Sequence, residues 1–242
     1  MNDFNQAYGS ASREMDTSVN AGLRGFMLGV YNKMALGLAL SAILAFAVGT
    51  NTQLTMTLLT PPLAYIVMFG PIGILLLSGL VMKNPSPIAA NLVYWSVVSL
   101  IGVGMGAIVY VYAGQPGGMM LVAKAFMTTA ISFGALSLWG YTTKRDLSGW
   151  GVFLFMALIG VIVAMVINMF IASSMLSLAI SVIGLLVFAG LTAYDTQRLK
   201  EMYFRIGGNA RAVSVATTYG ALSLYLNFVN MFQFILALMS ND

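Results

Sequence analysis

Long stretches without a charged side chain constrain this sequence more than any other feature. Residues 34–82 hold 49 consecutive uncharged positions, residues 84–123 hold 40, residues 147–194 hold 48, and residues 212–241 are also uncharged. A membrane-crossing helix needs about 20 apolar residues, so the stretches of 49 and 48 each accommodate two crossings and a turn. Charged residues make up only 7% of the chain, whereas a soluble domain carries about 25%. A soluble fold is therefore excluded.

Turn-forming residues divide these stretches into seven predicted spans. The clearest turns lie at residues 61–62 (PP), 84–87 (NPSP) and 114–118 (GQPGG). The predicted spans are residues 25–48, 62–82, 88–112, 119–141, 150–171, 176–195 and 213–239. The sequence thus predicts an all-α integral membrane protein, with a seven-helix transmembrane domain over residues 23–242. We expect residues 1–22, which are polar and have no signal-peptide pattern, to form a flexible cytoplasmic tail.

The basic residues predict the orientation, because cytoplasmic loops carry an excess of Lys and Arg. If residue 1 is cytoplasmic, ten basic residues lie at or near cytoplasmic ends: Arg13, Arg24, Lys33, Lys83, Lys144, Arg145, Arg198, Lys200, Arg205 and Arg211. Only Lys124 falls toward the outer side, where we expect it to extend to the headgroups; a pore-facing Lys124 is the alternative. Since the basic residues mark topology, the net charge of +4 does not indicate a nucleic-acid partner.

Asp195 is the foremost candidate for a functional residue within a span. An ionised Asp at mid-bilayer costs about 2.5–3.5 kcal/mol, and the cost falls near the interface. One interpretation places Asp195 at the cytoplasmic end of span six, beside the rim residues Arg198 and Lys200. The other, which we favour, places it inside the bundle as an ion or proton site. Five residues, most of them small or polar, recur at three- and four-residue steps and put Asp195 on a packing face: Ser181, Gly184, Phe188, Thr192 and Asp195.

Span seven carries a matching polar face. Its residues Gly220, Ser223, Asn227 and Asn230 are spaced by three, four and three positions, so they follow one side of a helix. Side-chain amides in hydrocarbon need hydrogen-bond partners. They serve either as packing contacts between helices or as the lining of a polar path that faces Asp195, and the sequence leaves both interpretations open.

The inventory of reactive groups is poor. The chain has no His and no Cys, which removes His-based triads, thiolate chemistry and the usual zinc sites. An intramembrane aspartyl hydrolase needs two facing Asp residues, and the spans contain only Asp195. We therefore expect no enzymatic activity, no metal centre and no cofactor.

Three segments in this order resemble the bacterial branch of the Bax-inhibitor family (transmembrane Bax inhibitor motif). They are residues 140–148 (GYTTKRDLS), 193–197 (AYDTQ) and 223–230 (SLYLNFVN), and the likeness runs from about residue 25 to the end. The resemblance implies a seven-helix bundle with the last helix at its centre, in the bacterial inner membrane. Some members of the family are pH-sensitive calcium leak channels, so calcium is implied as a transported ion and not as a cofactor.

The sequence departs from the family pattern at the implied sensor, which is a pair of facing Asp residues in helices six and seven. Asp195 matches the first position, but Asn227 occupies the second. The implied latch, an Arg in the second helix, is also missing from span two. Because an Asp that faces an Asn has no like-charge repulsion, we expect any pH gate to respond at more acid pH. We also expect weaker calcium binding, since one anionic ligand is lost.

Two functions from different classes remain. The first is a channel-like protein that leaks cations between spans six and seven. The second is a membrane interaction protein that modulates a membrane-anchored ATP-dependent protease or a stress response, as the resemblance implies. The polar N-terminal tail suits the second hypothesis, because such a protease needs a flexible end to engage.

Overall fold

The computed structural model describes residues 2–240, with side chains described from Asn20 onward. Eight helices and no strands are present over this part of the chain. In chain order they are α1 (Asn2–Gly49), α2 (Thr52–Leu58), α3 (Leu63–Val81), α4 (Pro87–Ala113), α5 (Gly118–Thr142), α6 (Ser148–Ile171), α7 (Ser174–Ile206) and α8 (Ala210–Met239). Seven of them, all but the short α2, are long and apolar enough to cross a membrane. The prediction of an all-α seven-span protein is confirmed.

Side-chain caps begin the helices close to where the turns predict. Ser86 accepts a hydrogen bond from the backbone N–H of Ala89 at the start of α4, and Ser173 accepts one from Leu176 at the start of α7. These bonds satisfy donors that have no partner within the helix. Pro87 follows at the first position of α4, where its missing N–H has no consequence.

The last helix lies at the centre of the bundle, as the resemblance implies. About 61% of its membrane-crossing window is buried, against 11% for α3 and for α6. Four helices pack directly on α8, namely α1, α4, α5 and α7, while α3 lies outside α4 and α6 lies outside α7. Small residues allow the closest approaches: a methyl group on Gly102 of α4 would lie 2.7 Å from the backbone of Ser41 in α1.

Two elements differ from the predicted ones. The predicted sixth span ends at Asp195, whereas α7 continues to Ile206, because the charged residues after Asp195 leave the apolar environment without ending the helix. The first helix begins at Asn2 although its membrane span begins at Asn20. Whether residues 1–22 form a flexible tail stays a prediction, since their side chains up to residue 19 lie outside the described part. The predicted cytoplasmic location of the N-terminus also stays a prediction.

Candidate functional site

The carboxylate of Asp195 lies in the contact between α7 and α8. Its residue is 5% exposed, and both neighbouring donors come from α8. The hydroxyl of Ser223 donates to Oδ2 of Asp195 at 2.6 Å, and the Nδ2 amide of Asn227 donates to the same oxygen at 2.9 Å. The spacing of four between Ser223 and Asn227 places both donors on one face of α8. The second oxygen of the carboxylate is left for another partner.

That partner is Arg198, one turn further along α7. Its guanidinium lies 3.1 Å from Oδ1 of Asp195, and its side chain is 46% exposed. The guanidinium also lies 5.7 Å from the ring centre of Tyr194. The carboxylate is thus paired with a cation that reaches toward the polar end of α7, while its other oxygen faces the interior of the bundle. All three contacts of the carboxylate are therefore with hydrogen-bond donors.

Two of the residues predicted to share the polar path do not contact the carboxylate. The hydroxyl of Thr192 is fully buried and donates to the backbone carbonyl of Phe188 and to the sulfur of Met231. The amide of Asn230 donates to the backbone carbonyl of Leu226 on its own helix at 2.8 Å. The structure therefore brings together Asp195, Asn227 and Ser223 and leaves Thr192 and Asn230 as packing contacts.

The two residues predicted at the cytoplasmic rim, Arg198 and Lys200, make different contacts. Arg198 belongs to the Asp195 cluster, whereas Lys200 donates to the backbone carbonyl of Tyr141 at 3.1 Å and lies over the ring of the same residue. Lys200 thereby ties α7 to the end of α5. Lys200 lies outside the Asp195 cluster because a side chain two positions after Arg198 points to a different face of the helix.

Sequence reasoning missed the role of Gln197, which is buried beside the site. Its amide oxygen accepts from the backbone N–H of Leu147 at 2.7 Å, and its amide nitrogen donates to the backbone carbonyl of Arg145 at 2.8 Å. Gln197 therefore holds the loop between α5 and α6. In the same loop, the hydroxyl and backbone N–H of Ser148 donate to Asp146 and lower the pKa of that exposed carboxyl.

A second polar cluster surrounds Lys33, which the sequence presented only as a topology marker. The Lys33 ammonium donates to the amide oxygen of Asn91 on α4 and, at 2.8 Å, to the hydroxyl of Thr218 on α8. Tyr94 donates to the backbone carbonyl of Lys33 at 2.6 Å, and its ring lies beneath the ammonium. The sequence did contain a signal for this cluster, because Lys33 lies within a predicted span that is otherwise apolar.

The Asp195 cluster offers a cation very few ligands in this conformation. Within the described residues there is no group of three or more His, Cys, Asp or Glu side chains, so the acidic contribution is the single carboxylate of Asp195. All of its described partners are hydrogen-bond donors. A cation would have to displace at least one of them, because hard cations bind oxygen ligands.

Comparison with known proteins supports the resemblance across the whole bundle. The family model described as "Inhibitor of apoptosis-promoting Bax1" matches residues 23–242. An uncharacterized protein of Caulobacter vibrioides is 47% identical over 98% of this chain and 97% of its own length. The inner membrane protein YbhL of Escherichia coli is 37% identical over 91% of this chain and 93% of its own. The chain is a multi-pass protein of the inner membrane and belongs to the Bax-inhibitor family.

Proposed function

We propose that this protein is a pH-sensitive leak for cations, calcium in particular, and that Asp195 is the group that senses the proton. The observation that carries the proposal is the buried carboxylate at the contact between α7 and α8, held by Ser223 and Asn227. A buried ionisable group inside a membrane bundle is costly, so its presence there favours a functional role. On this proposal calcium is cargo, and the protein is not an enzyme and needs no cofactor.

The proposed gate depends on the charge of Asp195. While the carboxylate is ionised, its charge strengthens the bonds from α8 and pairs with Arg198. Protonation removes that charge, so the two bonds from α8 weaken to those of neutral groups and the ion pair with Arg198 is lost. Because the bonds from α8 are the ones that cross the interface, their weakening loosens the contact between α7 and α8 next to the predicted cytoplasmic end of α7, which opens the path.

Asn227 determines at which pH this happens. In a pair of Asp residues, the repulsion between two carboxylates favours uptake of a proton near neutral pH. In this chain the second position is an amide that donates to Asp195, so the repulsion between two carboxylates is absent. The leak of this protein should therefore begin at a more acid pH than that of a relative with two Asp residues.

Calcium-loaded proteoliposomes test the proposal, with calcium release followed across a pH series. Wild-type protein should leak only at acid pH, and Asp195→Asn should remove the pH dependence. Asn227→Asp should move the midpoint upward by about one pH unit or more, since it restores a coupled pair. Asp146→Asn removes a carboxylate in the loop between α5 and α6 and is the matched control, for which we expect wild-type behaviour.

Two results would contradict the proposal. One is a leak whose pH dependence is unchanged in Asp195→Asn. The other is a wild-type midpoint near neutral pH that does not move in Asn227→Asp, because this would show that the partner on α8 does not set the gate.

A second function, modulation of a membrane-anchored ATP-dependent protease, is favoured by a different feature. The first membrane span begins at Asn20, so the polar residues before it lie outside the span and form a segment that a protease could engage if they are flexible, as the sequence predicts. Deletion of residues 2–19 should abolish co-purification with such a protease and leave the calcium leak unchanged. Unchanged co-purification after the deletion would exclude this function for the segment.

A further inference from the structure

A cavity of about 680 Å³ lies between α1 and α5, with the end of α4 as a further wall, in the half of the bundle that contains the loop at residues 114–118. The lining residues Phe46 of α1 and Met127 of α5 are exposed, so the cavity is open sideways toward the lipid. Its floor is α8, where Phe228, Val229 and Phe232 are buried. We call this cavity the α1–α5 groove. Its volume falls within the roughly 300–1,000 Å³ typical of small-molecule sites.

The lining of the α1–α5 groove is apolar except for two residues, Ser41 and Lys124. The hydroxyl of Ser41 is already engaged: it donates to the backbone carbonyl of Val98 at 3.0 Å and lies 2.7 Å from the hydroxyl of Tyr225. Lys124 is exposed, and it takes part in neither of the two ion pairs found among the described residues. The ammonium of Lys124 is therefore the polar group that this groove offers to a ligand.

The position of Lys124 along α5 places that ammonium at the level of lipid headgroups. Lys124 lies six residues after Gly118, where α5 begins, which is about 9 Å along a helix. A lysine at such a depth extends its apolar stem along the helix and puts its charge at the interface. A cation at the headgroup end of an apolar groove matches an amphiphile with an anionic head and a hydrocarbon chain.

We propose that the α1–α5 groove binds one anionic phospholipid, with an acyl chain against α8 and the headgroup phosphate at Lys124. A helix of a partner protein fits less well, because it would have to supply an acidic side chain opposite Lys124 in addition to an apolar face that matches the rest of the lining. A phospholipid already carries its phosphate at the interface. The proposal does not depend on the proposed cation leak.

A separate cavity lies between α1 and α5 toward the other end of these helices, and it shares no lining residue with the α1–α5 groove. Its volume is about 610 Å³, and its lining includes Arg24, Tyr31 and Phe133. There the hydroxyls of Tyr31 on α1 and Ser137 on α5 lie 2.7 Å apart, so the two helices are joined at that level and the proposed lipid site is limited to the α1–α5 groove.

Native mass spectrometry of the full-length protein, released from micelles that contain phosphatidylglycerol, tests the proposal. Wild-type protein should retain one phosphatidylglycerol and should retain diacylglycerol, which lacks the phosphate, much less. Lys124→Gln should lower the apparent affinity for phosphatidylglycerol about fivefold, the value of one basic residue near an anionic headgroup. Lys144→Gln, which removes a cation from the loop between α5 and α6, is the matched control and should change nothing.

A second variant tests the groove itself. Ala42 lines the groove and is exposed, so in Ala42→Phe the ring can enter the groove without disturbing the helix contacts. This variant should lose retained lipid while its thermal midpoint stays near that of wild type. Equal retention in Lys124→Gln and Lys144→Gln, full retention in Ala42→Phe, or a protein dimer that Ala42→Phe abolishes would each overturn the proposal.

Discussion

The bonds from α8 to Asp195 should account for a measurable share of the stability of the bundle. Ser223 and Asn227 donate to one oxygen of a buried carboxylate, and hydrogen bonds to charged groups contribute about 1.5–3 kcal/mol each. The ion pair with Arg198 involves a side chain that is 46% exposed, so solvent screening limits it to at most about 1 kcal/mol. We therefore expect Asn227→Leu to cost about 2 kcal/mol, and Arg198→Gln to cost less than half of that.

A double-mutant cycle isolates the bond between Asp195 and Asn227. The cycle needs Asp195→Leu, Asn227→Leu and the combined variant, each unfolded at equilibrium in mixed micelles. Neutral hydrogen bonds between membrane helices average about 0.6 kcal/mol in such cycles. At neutral pH we expect a coupling energy of about 1.5–2 kcal/mol, because the acceptor is charged. At acid pH the protonated carboxyl is a neutral partner, and the coupling should fall to about the neutral value.

The pH dependence of the coupling energy tests whether the charge of Asp195 strengthens its bond with Asn227. A coupling that stays near 0.6 kcal/mol at neutral pH would refute the reasoning, since it would mean that Asp195 carries no charge in the folded bundle. A large coupling that does not change with pH would also refute it, because the strength of the bond would then not come from ionisation.

Two further predictions concern the contacts that position the site. In Gly140→Ala, the new methyl group would overlap the backbone carbonyl of Ala193, where α5 meets α7. The thermal midpoint should therefore fall by the equivalent of about 1–3 kcal/mol. Gly134 has open space around it, so Gly134→Ala is the control and should change stability by no more than about 0.5 kcal/mol. In Gln197→Leu, the backbone N–H of Leu147 loses its hydrogen-bond partner. Hydrogen exchange, measured by mass spectrometry, should therefore accelerate at residues 143–147. Unchanged exchange at these residues would show that Gln197 does not hold the loop.

The seven spans could be predicted from the sequence because the composition of each segment marks it as a span. Each span is a run of apolar side chains long enough to cross the bilayer, and the turns between them contain residues such as Ser86 and Ser173 that cap helices. The end of α7 at Ile206 could not be predicted from hydropathy. Hydropathy reports where a helix leaves the hydrocarbon, and a helix with charged residues continues into water without a change in backbone geometry.

The candidate site could be predicted only in part, for a related reason. Helical spacing correctly grouped Asn227 with Ser223 opposite Asp195, because three- and four-residue steps define a face. The same rule included Asn230, whose amide bonds to its own helix instead. Spacing fixes the direction in which a side chain leaves the helix, but the choice between a neighbouring helix and the preceding backbone carbonyl depends on the distance to that neighbour.

The guanidinium that pairs with Asp195 comes from its own helix and not from the second span. The helix α3 contains no Arg, and the guanidinium on the carboxylate comes from Arg198. Because Arg198 and Asp195 lie on the same helix, their ion pair cannot hold two helices together. The contact between α7 and α8 at this point therefore depends on Ser223 and Asn227, which donate across the interface. Loss of either donor should weaken that contact, whereas loss of Arg198 should leave the two helices joined.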